Sequence, residues 1–203
     1  LNTVRYQKTV KPIYFTQFPK DLDEIQSVKL KKETFIKIVL PLIVAENEKI
    51  LDDRFKLKDI TSKKITTDQE KQWLRQKFLE YKVKKGNVEE LKIRMDIIPV
   101  SIALAQAAKE SGWGTSRFAR QGQNLYGTWC YQKGCGIVPL HANDKQFFAV
   151  KAYPNFKASI DDYLLNLNSN KYYRSLRETR YQLHQHNKPI SGYKLAGCLG
   201  NYS

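Results

Sequence analysis

Apolar residues recur at helical spacing along most of this chain. Between about Lys29 and Phe55, the residues Phe35, Ile36, Val39, Leu42, Ile43 and Ile50 fall three, four and seven apart, which predicts one long helix with a single apolar stripe. Pro41 lies inside that stretch and predicts a local bend. Thr66-Thr67-Asp68 precede Trp73, Leu74 and Phe78, with Glu70 in the first turn, a capped helix start that runs to the stop signal Gly86-Asn87. A short helix is predicted over Val88 to Arg94. Pro99 then opens a helix whose apolar face is Val100, Ala103, Leu104, Ala107 and Ala108, and which Gly112 and Gly114 halt. Its small alanines predict close packing and a central, buried position. Helical spacing disappears between Cys130 and Tyr153, where Ile137-Val138 and Phe147-Phe148-Ala149-Val150 flank a polar His-Ala-Asn-Asp segment, the pattern of a β-hairpin or an irregular lobe. It returns at Ser159-Ile160-Asp161-Asp162 and again from Tyr172 to His184. Residues 1–30 carry Pro12, Pro19, Tyr14, Phe15 and Phe18 without helical spacing, and predict an extended arm packed on the body formed by residues 31–203. The expected class is mainly α (α+β), with one small β-hairpin lobe.

Composition narrows the function classes. At 203 residues and 41% hydrophobic content the chain can bury one substantial core. Its longest apolar stretch, Ile38 to Ala45, contains Pro41 and is far too short to span a bilayer. Residue 1 does not open a basic, then apolar, then small-residue leader, so the chain is either cytosolic or lacks an export signal that preceded it. The formal charge of +15 draws the chain towards polyanions. Nucleic acid, anionic lipid and bacterial cell wall all qualify, and the lysines are scattered as on an ordinary solvated surface. Of the three cysteines, Cys130 and Cys135 stand close together in WCYQKGCG, where they are expected to close a small disulfide loop; Cys198 is left over, buried or unpaired. His184 and His186 form an H-x-H pair without an evident companion ligand, and no phosphate loop, dinucleotide fingerprint or serine elbow is present. No cofactor, nucleotide or essential metal is therefore expected.

Glu110 is the residue with the most pointed chemistry. It occupies the last turn of an apolar, alanine-rich helix, beside two glycines and Trp113. A carboxylate there faces the negative end of the helix dipole, and partial burial would strip its hydration; both favour the protonated form. A carboxylic acid held protonated near neutral pH is what a glycosidase needs to protonate a leaving oxygen. An ordinary solvent-facing glutamate at an unfavourable helix end fits the same local pattern. Downstream, Trp113, Phe118, Tyr126, Trp129 and Tyr131 are interleaved with glycines, and Gln123 and Asn124 lie among them. Flat aromatic rings stack on sugar faces, and amides bond hydroxyl or N-acetyl groups; core packing is the competing use, favoured for Phe118.

The run DIIPVSIALAQAAKESGWGTSRFARQGQNLYGTWC, from Asp96 to Cys130, resembles the bacterial glucosaminidase family, which includes flagellar and autolysin-type endo-β-N-acetylglucosaminidases. Within it the chain most resembles the Bax-like proteins of Gram-negative bacteria. AQAAKESGWGTSRFA is the core signature, and the following Asn-Leu-Tyr-Gly is the family's second element. The resemblance continues through GCGIVPL and FFAVKAYPNFKASIDDYLLNLNS, and upstream through KPIYFTQF and PLIVAENEKILDDR, so it covers nearly the whole chain. It implies a lysozyme-like helical domain with a β lobe, cleaving the β-1,4 bond between N-acetylglucosamine and N-acetylmuramic acid in peptidoglycan, with Glu110 as the acid. Substrate-binding positions implied around it are Ser111, Trp113, Asn124, Tyr126, Trp129 and Tyr153. Glu110-Ser111 also stands where lytic transglycosylases carry a similar pair. Transglycosylation, muramidase activity and a non-catalytic wall-binding role therefore stay open.

Two features depart from the family pattern. Relatives often carry a second carboxylate in the β lobe, where residues 133–150 offer only Asp144, in a polar turn that better suits a turn-forming aspartate. Relatives also continue past a Tyr-Ser element into a closing turn and terminal helix. This chain stops at Asn201-Tyr202-Ser203, leaving Tyr202 as the match to a family tyrosine near the site. The resemblance further implies an exported protein of the periplasm or cell envelope that acts on glycan strands, and a monomer is expected. The positive charge is then attraction to the anionic envelope and not to nucleic acid, and the cysteine pair suits an oxidising compartment.

Overall fold

The computed structural model describes residues 10–140 and 148–200. Its helices are α1 (Val28–Ser62), α2 (Asp68–Glu80), α3 (Val88–Arg94), α4 (Val100–Ser111), α5 (Arg117–Gly122), α6 (Phe156–Ser169), α7 (Arg174–Gln185) and α8 (Gly192–Ala196). Short 3-10 turns cover Lys171–Tyr173 and Gly197–Leu199. Three short strands, β1 (Trp129–Cys130), β2 (Gly136–Ile137) and β3 (Ala149–Lys151), form one antiparallel sheet in the order β1-β3-β2. The fold is mainly α with a small β lobe, the class that the hydrophobic pattern predicts. No helix among the described residues is long and apolar enough to cross a membrane.

Local chemistry explains most boundaries. Thr67 caps α2 in a reciprocal box: its side chain accepts from the Glu70 backbone N–H, and the Glu70 carboxylate accepts from the Thr67 N–H at 2.7 Å. Asn87 caps α3 by accepting from the Glu90 N–H. The long first helix runs past Phe55 to Ser62 because Leu57 and Ile60 continue its buried stripe. Pro41 sits buried inside it. Helices α5 and α8 carry too few buried residues to show an apolar stripe, and the periodicity misses both. The expected hairpin forms, with Ile137 opposite Val150, but β3 also pairs with Trp129-Cys130 on its other edge. The Cys130–Cys135 disulfide is present, and Cys198 is free and half-buried.

The chain folds as two compact units. The described residues up to Glu46 and Ala103–Tyr163 make the first, and Asn47–Ile102 with the described residues from Leu164 make the second. In the first, Phe18 and Leu22 of the arm are buried, and the Phe18 ring lies 5.6 Å from Phe35 and 4.5 Å from Phe156 between centroids. Arg120 holds the same stretch through Asp23 and the Lys20 carbonyl, at 2.5 and 2.6 Å. The second unit buries Leu57, Leu91, Met95, Ile98, Leu167 and Leu176 around a charged centre. There Arg180, fully buried, donates to the carbonyls of Ile93, Arg94, Asp96 and Ile97 and to Asn168 Oδ1. Burial pulls its guanidinium below the usual arginine range, and the Asp96 carboxylate, 3.5 Å from Nε, acts the other way.

Candidate active site

Helix α4 ends abruptly. Ser111 is buried, its Oγ donating to the Ala107 carbonyl and accepting from the Gly114 N–H at 2.9 Å. Gly112, Trp113 and Gly114 then take φ values of +59°, +59° and +81° in succession, which turns the chain out of the helix. The Trp113 N–H closes the end by donating to the Ala108 carbonyl at 2.8 Å. Left-handed backbone at a bulky residue is uncommon and stores strain. Gly114 carries the tightest contact of the turn, since a β-carbon there would lie 2.7 Å from the Phe18 ring. The arm therefore seats directly on the turn after Glu110.

That termination leaves Glu110 in the last helical turn with its side chain 22% exposed. Lys109 Nζ stands 3.9 Å from Oε1. A β-carbon built on Gly127 would lie 3.6 Å from Oε2, and Gly127 has φ +63°. The Asn-Leu-Tyr-Gly segment thus passes beside the carboxylate, with glycine leaving the approach clear.

Asn124 holds this segment in shape. Its Nδ2 donates to the carbonyls of Thr128 and Lys151, both at 2.9 Å, while Oδ1 accepts from the N–H groups of Tyr126 and Thr128 at 3.2 and 3.1 Å. The residue is buried and both ends of its amide are engaged with backbone. Ser159 Oγ accepts from the Leu125 N–H, tying the segment to α6. Tyr126 is buried face to face on Tyr163, with centroids 3.8 Å apart and planes 5° from parallel.

The other sequence-selected residues divide by exposure. Trp113 is half-buried, edge-on to Phe35, with Lys32 Nζ 4.8 Å over its ring. Trp129 is 48% exposed with its ring tilted against Phe148, and Tyr131 beyond it in the chain is exposed too. Tyr153 is buried and its hydroxyl donates to Asp162 Oδ2. Burial, then the Asp162 carboxylate, push its phenol far up, so it stays protonated. Lys151 Nζ also reaches Asp162, at 2.9 Å, and lies 4.8 Å over the Tyr153 ring. Asp162 and Lys151 were not singled out from sequence, because Asp161-Asp162 reads as the polar face of a helix. Asp144 and Tyr202 lie outside the described residues.

A separate cavity of about 640 Å³ lies within the second unit, lined by Arg54, Phe55, Asp96 and His184 among others. His184 is exposed, and it does have a companion carboxylate: its Nε2 is 2.9 Å from Asp96 Oδ2. Sequence distance hid that pair. Among the described residues no cluster of three or more His, Cys, Asp or Glu is arranged to hold a metal ion.

The family model for glucosaminidases, described as mannosyl-glycoprotein endo-beta-N-acetylglucosaminidase, matches residues 85–196, more than half of the chain. The chain belongs to the glucosaminidase family. It is also 33% identical over 192 residues to the protein bax of Escherichia coli (strain K12), a match that spans 90% of this chain and 67% of that protein. No solved structure matches it. The glucosaminidase span contains Glu110, the Asn-Leu-Tyr-Gly segment, the β lobe and Asp162, whereas the arm with Phe18 and Asp23 precedes it.

Proposed function

We propose that this glucosaminidase-family chain is a peptidoglycan hydrolase that cleaves the β-1,4 bond between N-acetylglucosamine and N-acetylmuramic acid, with Glu110 as general acid. The observation that carries this reading is the Glu110 carboxyl group, half-sheltered at the end of α4 and set beside Gly127. In the reaction the Glu110 carboxyl donates its proton to the bridging oxygen as the bond from C1 to that oxygen breaks, the N-acetylmuramic acid side leaves with that oxygen, and positive charge develops on C1 and the ring oxygen of the N-acetylglucosamine. Attack at C1 by water, or first by the sugar's own N-acetyl oxygen and then by water, completes hydrolysis, and the proton released returns to the enzyme. Asp144 and Tyr202 are the proposed partners that orient the water or stabilise that charge.

Trp129 is the proposed stacking surface for a sugar ring, since it is aromatic and exposed on the lobe. The buried residues Ser111, Asn124 and Tyr126 act on the substrate by fixing the backbone beside Glu110, Trp113 by turning the chain, and Tyr153 through its hydrogen bond to Asp162. The family, the disulfide and the +15 charge together support action outside the cytoplasm on an anionic envelope. The test is digestion of purified sacculi followed by mass spectrometry. Products with reducing N-acetylglucosamine ends are expected, and Glu110→Gln should abolish them while its circular dichroism stays unchanged. Anhydro-muramic ends would mean a lytic transglycosylase instead, and undiminished release by Glu110→Gln would remove that residue from the mechanism.

A further inference from the structure

A second cavity, of about 530 Å³, opens in the first unit where the arm crosses the turn after Glu110. Gln17 and Lys20 of the arm form one wall, and Thr115, Arg117, Arg120 and Gln121 form the other. The arm is fixed in place by Phe18 on Gly114 and by Arg120 on Asp23, so both walls are built features of this unit.

The charges in this cavity are unbalanced. Three of its lining side chains are cationic and none is acidic. Arg120 is neutralised by Asp23 at 2.5 Å. Among the described residues Lys20 and Arg117 have no carboxylate partner. Arg117 is nonetheless held: its Nη2 donates to the Val138 carbonyl at 2.7 Å, and its guanidinium lies 5.2 Å over the Phe118 ring. A guanidinium fixed by one N–H keeps its other N–H groups for an incoming acceptor. Thr115, Gln17 and Gln121 add neutral hydrogen-bonding groups around it. A positioned guanidinium beside an ammonium and side-chain amides suits a carboxylate.

We infer that this cavity binds a carboxylate of the peptide stem borne by the glycan strand, and so selects peptide-substituted glycan. The inference rests on the peptidoglycan reading given above. Position supports it: Thr115 and Arg117 lie five and seven residues past Glu110, across the turn that ends α4, so the cavity is built on the segment that directly follows the proposed acid.

Two measurements test it. First, calorimetric titration with a synthetic stem tetrapeptide, its carboxylates free or amidated, uses the wild-type chain and the Lys20→Gln/Arg117→Gln double variant. Amidation or the double substitution should each weaken binding about tenfold, as expected for loss of charge-assisted hydrogen bonds. Second, kcat/KM is compared on peptide-bearing and peptide-stripped glycan strands. The double variant should lose about tenfold on the former and nothing on the latter. Equal affinity for free and amidated peptide overturns the inference without any variant. Equal kinetic loss on both strands overturns it as well. Peptide binding with no cleavage of either strand would sink the glycosidase reading and leave the cavity standing. Cleavage without peptide discrimination would do the reverse.

Discussion

Replacing Asn124 by alanine should cost this protein stability before it costs it substrate affinity. Asn124 makes four hydrogen bonds to backbone, two donated and two accepted, in a buried setting. At a net value of about 1 kcal/mol each the set amounts to roughly 4 kcal/mol. Part of this is recovered in the variant. The Thr128 carbonyl also accepts from the Lys151 N–H at 2.8 Å, and Thr128 is half-buried, so water reaches it. A loss of about 2–4 kcal/mol is therefore expected, which for a chain of this size lowers Tm by roughly 5–15 °C. Asn124→Asp is the informative companion. It keeps an acceptor for the two N–H groups but turns a carboxylate oxygen towards two carbonyls, and should be at least as damaging as alanine. Urea unfolding followed by circular dichroism gives the stability change, and sacculus hydrolysis gives activity. Activity should fall with stability, because Gly127 is held beside Glu110 by the same bonds. If both variants lose less than about 1 kcal/mol while KM rises, Asn124 is a sugar ligand and the structural reasoning is refuted.

Three further outcomes follow from named contacts. Gly114→Ala combines a left-handed backbone with a β-carbon 2.7 Å from the Phe18 ring, so it should cost about 2–4 kcal/mol and expose the arm to limited proteolysis; an unchanged digestion pattern would count against the seating of Phe18. Asp96→Ala leaves the fully buried Arg180 without its carboxylate and should cost about 3–5 kcal/mol in denaturant unfolding, so a stability within 1 kcal/mol of wild type would show the pair to be dispensable. Tyr153 is held protonated in the folded state, so the native chain keeps a proton that the unfolded chain releases above about pH 10. Its contribution is therefore complete below that pH and declines as pH rises further. Tyr153→Phe should flatten the alkaline limb of the stability profile, and identical slopes for the two proteins would contradict this.

The long amphipathic helix, the capped second helix, the short third helix and the helix opened by Pro99 are all legible in the sequence, because spacing and caps are local properties. The position of Glu110 at a helix end beside glycines and aromatics is legible for the same reason, since these residues are contiguous. What sequence could not supply were pairings across long separations. Asp96 with His184 and Arg120 with Asp23 each join residues that carry no mutual signal along the chain. Nor could sequence divide Asn124, whose amide is closed by backbone, from Trp129, whose ring is exposed, although both sit in one glycine-rich stretch. Burial is decided by what folds over a residue, so the residue types of the candidate site are set locally and their exposure is set by tertiary packing.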